Sequence, residues 1–468
     1  MRRRELLRAA GTVGALALPG LSAGHPTPSG DDAATPQSTP TDGAPIGTLA
    51  LPGAHELVTS PDGHTAYVAT GTGVAVVDAV VPAAPRLLTH RTDLLADTEA
   101  GPMREVQDLA VVGDRLLVAG PAHPADGAHG LVVFDVSDRR RPRRVGAHLT
   151  ETTIHNCDFD GRYAYLTANG REGNPLLVVD TETGAEAGTW SLFDADAAWR
   201  EVPPSLRPLH DVWVHEGRAY LAYWDAGTWI LDVADPADPA LVSRVRGRGP
   251  STLAAVDDPA TERTEPPGND HFVTVNEDAT LLGVGSESWD LGGDGSGGPG
   301  GIELFDVSDP TAPESLATID PPSTSDPTPG GVLTTAHNFE LVDGRCYSAW
   351  YNGGVRVHDV RDPADPREVY AWRDSATASF WTAQRGARCF LAANTNANAG
   401  GEVTPGVYAF PDPSLPTRTA RESPSGSDGD AAGGPLSVSG DGFGVGAAVG
   451  AVGAAALSAW RHRRRGRD

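Results

Sequence analysis

One phrase, written seven times, decides what this chain can fold into. Each copy is an apolar alternating run, a turn with Gly or Asp, a second run containing Tyr, and a third run closing on Asp. The clearest copy reads His210-Asp211-Val212-Trp213-Val214, Gly217-Arg218-Ala219-Tyr220-Leu221, then Gly227-Thr228-Trp229-Ile230-Leu231-Asp232-Val233-Ala234-Asp235-Pro236. The same runs extend from His337 through Gly344, Tyr347, Val355 and Asp359 to Pro363, and other copies open at His55, Gln107, His155, His271 and around Phe380. Short alternating runs punctuated by Gly and Asp are strands of an antiparallel meander. Beyond the Asp-Pro stop, where proline ends pairing because it cannot donate to a ladder, comes a fourth run such as Leu241 to Val245, Glu314 to Ile319 or Arg367 to Trp372. Four strands per repeat make a propeller blade. The expected fold is therefore all-β, a seven-bladed β-propeller. Its last copy, Gly406 to Phe410, has no fourth run, while an orphan run from Ile46 to Leu51 precedes the first copy. Pairing these two would close the ring and remove its open edges.

The flanks read as addresses and tethers. Arg2-Arg3-Arg4-Glu5-Leu6-Leu7 and the short apolar run Ala9 to Leu18 form a secretory signal resembling the twin-arginine type, with cleavage expected near Ala23. At the far end, Gly442 to Trp460 is apolar and Arg461 to Arg467 is basic. About eighteen residues at 1.5 Å span roughly 27 Å, enough for a hydrophobic helix to cross a hydrocarbon core, with the arginines on the cytoplasmic side. This end is also similar to the PGF-type sorting signal of archaeal surface proteins, Asp441-Gly442-Phe443 standing where Pro-Gly-Phe is expected. The expected organisation is thus a signal over 1–24, a disordered linker over 25–45, the propeller over 46–411, a second disordered linker over 412–441, and a C-terminal transmembrane or sorting anchor over 442–468.

Charge narrows the partners. The formal net charge is -26, with 62 acidic residues against 36 basic ones that are all arginine. Such a field repels nucleic acid and suits a protein kept soluble in concentrated salt, where screening acts over a few ångströms. The acidic residues run along the whole chain, which reads as salt adaptation of the whole surface. Cys157, Cys346 and Cys389 lie in apolar runs and read as buried free thiols, with a Cys346–Cys389 bridge as the other possibility.

The phrases Leu131-Val132-Val133-Phe134-Asp135-Val136, Leu176-Leu177-Val178-Val179-Asp180 and Ile302-Glu303-Leu304-Phe305-Asp306-Val307 resemble the LVIVD-repeat propellers of haloarchaeal cell surfaces. That resemblance implies the fold over roughly residues 44–411 and leaves the function open. Single blades, with their His-Asp start, also resemble the selenium-binding-protein family, whose members include methanethiol oxidases with a proposed copper site. That family's cysteine motifs have no counterpart here.

The start of each repeat is where chemistry can gather. His55, Gln107, His155, His210, His271 and His337 occupy equivalent positions, followed by Glu56, Asp108, Asn156, Asp211 and Asn338. First strands line a propeller channel, so these side chains form a candidate ligand-binding ring at one mouth, with Asn156, Asp211 and Asn338 orienting it. Neutral imidazole suits Cu or Zn, which makes His155, His210, His271 and His337 candidate metal ligands. The alternative is that each histidine is a peg bonded to a turn backbone. The channel's width leads us to expect a loose ring in which at most three histidines approach one another. The loop Ser286 to Gly298 reads as a disordered acidic insert, with calcium wrapping as the other possibility, and Asp135, Asp180, Asp232, Asp306 and Asp359 read as turn-formers. No catalytic residue is assigned. The expected function is an exported, surface-anchored recognition or scaffold module that binds another surface component and meets the membrane through its C-terminus. The alternative is a metal-dependent oxidase-type enzyme.

Overall fold

The computed structural model describes residues 43–399 and 402–414, together with the backbone of Ser38–Thr39. The expected signal, most of both expected linkers and the expected C-terminal anchor lie outside the described residues. Seven antiparallel sheets follow one another as blades. Blade 1 is built from Leu57–Thr59, Thr65–Ala69, Val74–Asp78 and Arg86–Arg91. Blades 2 to 6 repeat the pattern with first strands Asp108–Val112, Cys157–Phe159, Asp211–His215, Asp270–Val275 and Phe339–Val342. Blade 7 takes Phe380–Arg385, Cys389–Asn394 and Gly406–Pro411 from the end of the chain and its fourth strand, Gly47–Ala50, from the beginning. Gly47 pairs with Ala409, Leu49 with Val407, and the amides of Ile46 and Leu51 donate to the carbonyls of Ala409 and Pro405 at 2.8 Å each. The expected closure is thus the one observed.

The burial of each strand follows its place in the blade. Second and third strands such as Thr65–Ala69 and Leu176–Asp180 are buried on both faces, because a neighbouring blade covers each side. Fourth strands such as Arg86–Arg91 are partly exposed at the rim. In six blades the third and fourth strands slip register by a bulge, as at Val76/Val77 and Ile230/Leu231. A repeated bulge increases the local twist the same way in each blade.

The core is distributed accordingly. Apolar clusters form wedges between neighbouring blades, one at every seam: for example Tyr67, Val76, Leu116 and Val132 between blades 1 and 2, and Leu57, Val68, Leu391 and Val407 between blades 7 and 1. The three cysteines are buried and free, Cys346 and Cys389 in different wedges, so the bridge is not formed. Ser38–Thr39 pairs with Asp374 and Arg373 and adds a fifth strand to blade 6. One expectation needs correction. The 286–298 loop, read as a disordered insert, is organised around Glu265, whose Oε1 accepts from the Leu291 amide at 2.9 Å and whose Oε2 accepts from Ser296 Oγ at 3.1 Å.

The two faces differ. Connections from first to second and from third to fourth strands are short and end on one face, which we call the plain face. The long connections 191–210, 245–269, 287–301 and 320–338 all emerge on the opposite face, around the channel mouth. Gly47 and Pro411, where the described chain enters and leaves blade 7, lie on the plain face by the same topology. Among the described residues no helix is long and apolar enough to cross a membrane.

Candidate functional site

First strands begin at the decorated face, so the residue at the start of each meets its counterparts around the mouth. The imidazoles form one continuous series. Ring centroids are 5.1 Å apart for His123–His155, 4.5 Å for His155–His210, 3.9 Å for His210–His271 and 4.6 Å for His271–His337. Trp381 takes the equivalent place in blade 7, 4.2 Å from His337 and 5.1 Å from His55. Gln107 adjoins the other end, its Nε2 3.5 Å from His123 Nδ1. All six expected ring residues therefore reach the mouth. The expected looseness is overturned: five histidines, not at most three, approach one another. Aromatic rings pack against the series as well, Trp224 at 5.2 Å from His210 and Trp381 and Tyr351 at 4.2 and 4.7 Å from His337. His155, His210, His271 and His337 are all buried.

Most ring nitrogens on the outer side are pegged. Nδ1 lies 2.8 Å from the Gly53 carbonyl in His55, 3.3 Å from that of Ala122 in His155, 2.8 Å from that of His271 in His210, and 2.6 Å from that of Trp381 in His337. A carbonyl oxygen only accepts, so each of these Nδ1 atoms carries the hydrogen and, in the neutral ring, Nε2 keeps the lone pair. The peg and the ligand readings are therefore not exclusive, because one nitrogen serves each. An outer N–H bonded to a backbone carbonyl is also the arrangement that fixes metal-binding histidines.

Three mouth groups stand out. One donor atom from each of His271, Glu287 and His337 lies within 4.8 Å of the others. Glu287 Oε2 is 3.4 Å from His271 Nε2, while Tyr351 donates its hydroxyl to Glu287 Oε1 at 2.6 Å and so holds the carboxylate in place. At 2.0–2.2 Å per bond, two ligands of a tetrahedral ion lie about 3.3–3.6 Å apart. The three groups would draw together by up to about 1 Å to share one ion, and a two-histidine, one-carboxylate donor set suits Zn or another first-row transition metal. Glu287, Tyr351, Trp224 and His123 were not anticipated from the sequence. Each lies just beyond the end of its blade's second strand, a register that aligning the repeats at that point exposes.

Below the histidines, the next residue of five first strands, Glu56, Asp108, Asn156, Asp211 and Asn338, locks blades together. Asp108 Oδ2 accepts from the Cys157 amide at 2.6 Å, and Asp211 accepts from Asn156 Nδ2 and from the Val273 amide, each at 2.9 Å. Asn338 Nδ2 donates to Glu56 Oε2 at 2.5 Å. One turn deeper, Asp158 accepts from Val214 and Glu340 from Arg385, at 2.5 and 2.6 Å. Asn156, Asp211 and Asn338, expected to orient the imidazoles, are thus bonded to the channel wall and to Glu56, because an alternating strand turns them to the neighbouring blade. Burial is the main influence on these carboxyls: it raises Glu56 and Asp158 to about 8 and Asp211 and Glu340 to about 7, against the opposing pull of their hydrogen bonds.

On the plain face the expected turn-formers behave as such. Asp135, Asp180, Asp232, Asp306 and Asp359 each accept from the amide two residues on, at 2.8–3.2 Å.

A family profile described as the LVIVD repeat matches residues 103–150 and 209–246, which are blades 2 and 4. No curated protein matches the chain. Among 1243 solved chains that do match is the β-propeller domain of Cps50 (Swd1) from Myceliophteria thermophila, 9% identical with a TM-score of 0.52, the alignment covering 79% of this chain and 99% of that one. At that identity the likeness concerns the fold alone.

Proposed function

We propose that this chain is an exported recognition or scaffold propeller of a salt-adapted cell surface, and that its decorated face carries a transition-metal site at the channel mouth. One observation carries the reading: every long connection and the whole imidazole series gather on one face, opposite the face where the described chain enters and leaves the ring. Loops on a rigid scaffold are where binding is built. The arginine-led N-terminus, the apolar C-terminal stretch with its arginine tail and the acidic composition support export, anchoring and salt adaptation. The metal belongs to His271, Glu287 and His337, with His210 and His155 next in the series.

Metal analysis of the full-length protein purified after export tests this reading. One zinc or copper ion per chain, lost in His337→Ala, is the expected result, and a metal-free protein that takes up neither ion rejects the site. Truncation before Gly442 should release the propeller into the medium, and retention on cells would reject the anchor. The oxidase alternative draws on a separate observation, that the oxidisable rings of Trp224, Tyr351 and Trp381 pack directly on the imidazoles. Dioxygen uptake by the copper-loaded protein on adding a small thiol would favour it.

A further inference from the structure

The blade 5–blade 6 seam is fastened differently from its counterparts. Between blades 2 and 3, 3 and 4, 4 and 5, 6 and 7, and 7 and 1, a side chain of one first strand accepts from an amide of the next: Asp108, Asp158, Asp211, Glu340 and Gln384 play this part. Between blades 1 and 2 the Glu56 amide donates to the Gln107 carbonyl at 3.2 Å. At blade 5 the position after the mouth histidine is Phe272, where other blades place Glu56, Asp108, Asn156, Asp211, Asn338 and Thr382. The polar links of this seam lie at its two ends: Glu277 Oε1 accepts from the Asp343 amide at 2.7 Å, and at the mouth Thr335 Oγ1 accepts from the Ser288 and Gly300 amides at 3.1 and 3.0 Å. Among the described residues, no hydrogen bond joins Phe272–Val275 to Phe339–Val342. The contact is apolar instead: the Phe272 and Phe339 rings are 5.1 Å apart, and Phe339 lies so close over Gly283 that a Cβ there would sit 2.6 Å from its ring.

The candidate metal ligands straddle this same seam. His271 and Glu287 belong to blade 5, and His337, like the Tyr351 that holds Glu287, belongs to blade 6. We infer that the metal ion acts as the cross-blade clasp of this seam, bonding blade 5 to blade 6 at the mouth beside the Tyr351–Glu287 and Thr335 hydrogen bonds that cross it. The inference rests on the metal reading above and adds to it a role: the ion fastens the ring. Binding to the closed seam alone stabilises it by mass action, so at a free ion concentration 100 times Kd the opening of the seam becomes about a hundredfold rarer.

Hydrogen exchange on the full-length protein, stripped of metal and then titrated with Zn2+ or Cu2+, tests the clasp. Amides of Phe272–Val275 and Phe339–Val342 should slow by up to about a hundredfold at that concentration, while Leu109–Val112 and Cys157–Phe159 of the blade 2–blade 3 seam change by less than a few fold. His337→Ala should abolish the selective slowing. Should that variant fail to fold, Glu287→Gln, which keeps an acceptor for Tyr351, should weaken binding and shift the protection to higher metal concentration. Stoichiometric metal with no protection, or with equal protection at both seams, overturns the clasp and leaves the metal site standing. Absence of binding by either ion overturns the metal reading, and the clasp with it.

Discussion

Asp211 and Asp232 stand in the same blade and read alike in the sequence, yet they do unlike things. Asp232, exposed on the plain face, accepts from the amide of Ala234, two residues along. Asp211, buried in the channel wall, accepts from Asn156 in the preceding blade and from Val273 in the following one. The first shapes a turn that would form in any context. The second holds three blades in register, so its worth depends on a ring already closed. Plain-face polarity is therefore local and replaceable, and channel polarity is long-range and costly to disturb.

The largest effect follows from removing Asp211. Asp211→Ala leaves two buried donors, Asn156 Nδ2 and the Val273 amide, without their acceptor. Each orphaned group costs about 1–3 kcal/mol, so we expect a loss of roughly 3 kcal/mol in denaturant unfolding, at unchanged slope. Asp232→Ala exposes its amide to water and should cost about 0.5 kcal/mol. Equal losses for the two variants would break the distinction between wall and turn.

Acidity should separate the two regions by sign. Burial raises Asp158 to about 8 and Glu340 to about 7, above the ordinary carboxyl range of ~4. The folded state therefore favours their neutral forms. The stability they contribute is fully present below about pH 4 and is lost as pH rises through 7 to 8. Asp135 on the plain face is the reverse case: hydrogen bonds from Ser137 and then the Arg143 guanidinium lower it to about 2, so its contribution is present above about pH 4 and lost as pH falls through 2. Unfolding midpoints measured across this range should fall on both sides. Repulsion among the excess acidic charges also grows with pH, so the deciding measurement is Asp158→Asn, which should flatten the alkaline limb and leave the acid limb unchanged. Asp135→Asn should do the opposite.

This contrast also explains what was legible in the sequence. Alternation, Gly and Asp turns and the Asp-Pro stops are local signals, so the strands, the seven blades and the turn role of Asp232 follow from short windows. The ring closure was legible because two incomplete units, Ile46 to Leu51 and Gly406 to Phe410, leave only each other as partner. The histidine ring was legible as equivalent positions, but its tightness was not. Trp224, Tyr351 and Trp381 pack against it, and two of these rings sit in connections whose lengths vary from blade to blade. Glu287 escaped notice for the same reason, inside a loop that reads as a polar insert until Glu265, from a different connection, is seen to hold it. Ser38–Thr39 has no apolar alternation to announce a strand, and takes its pairing wholly from the rim of blade 6.

The smallest effect tests the plain face at its most ordered-looking contact. Arg143 Nη2 lies 2.7 Å from Asp135 Oδ2, and four such strand-end aspartates, counting Asp78, Asp180 and Asp359, hold an arginine. The geometry suggests strength, but the Arg143 side chain is 71% exposed, and exposed pairs are screened by salt and worth roughly 0–1 kcal/mol. Asp135 keeps its turn bonds to the Ser137 amide and hydroxyl, at 3.1 and 2.6 Å, when the arginine is removed. Arg143→Ala should therefore shift unfolding by less than about 0.5 kcal/mol in dilute buffer, and by nothing measurable in molar salt where screening is complete. A loss above about 1.5 kcal/mol that persists in molar salt would show that plain-face polarity is not merely local, and the comparison with Asp211 would fail at its weaker end.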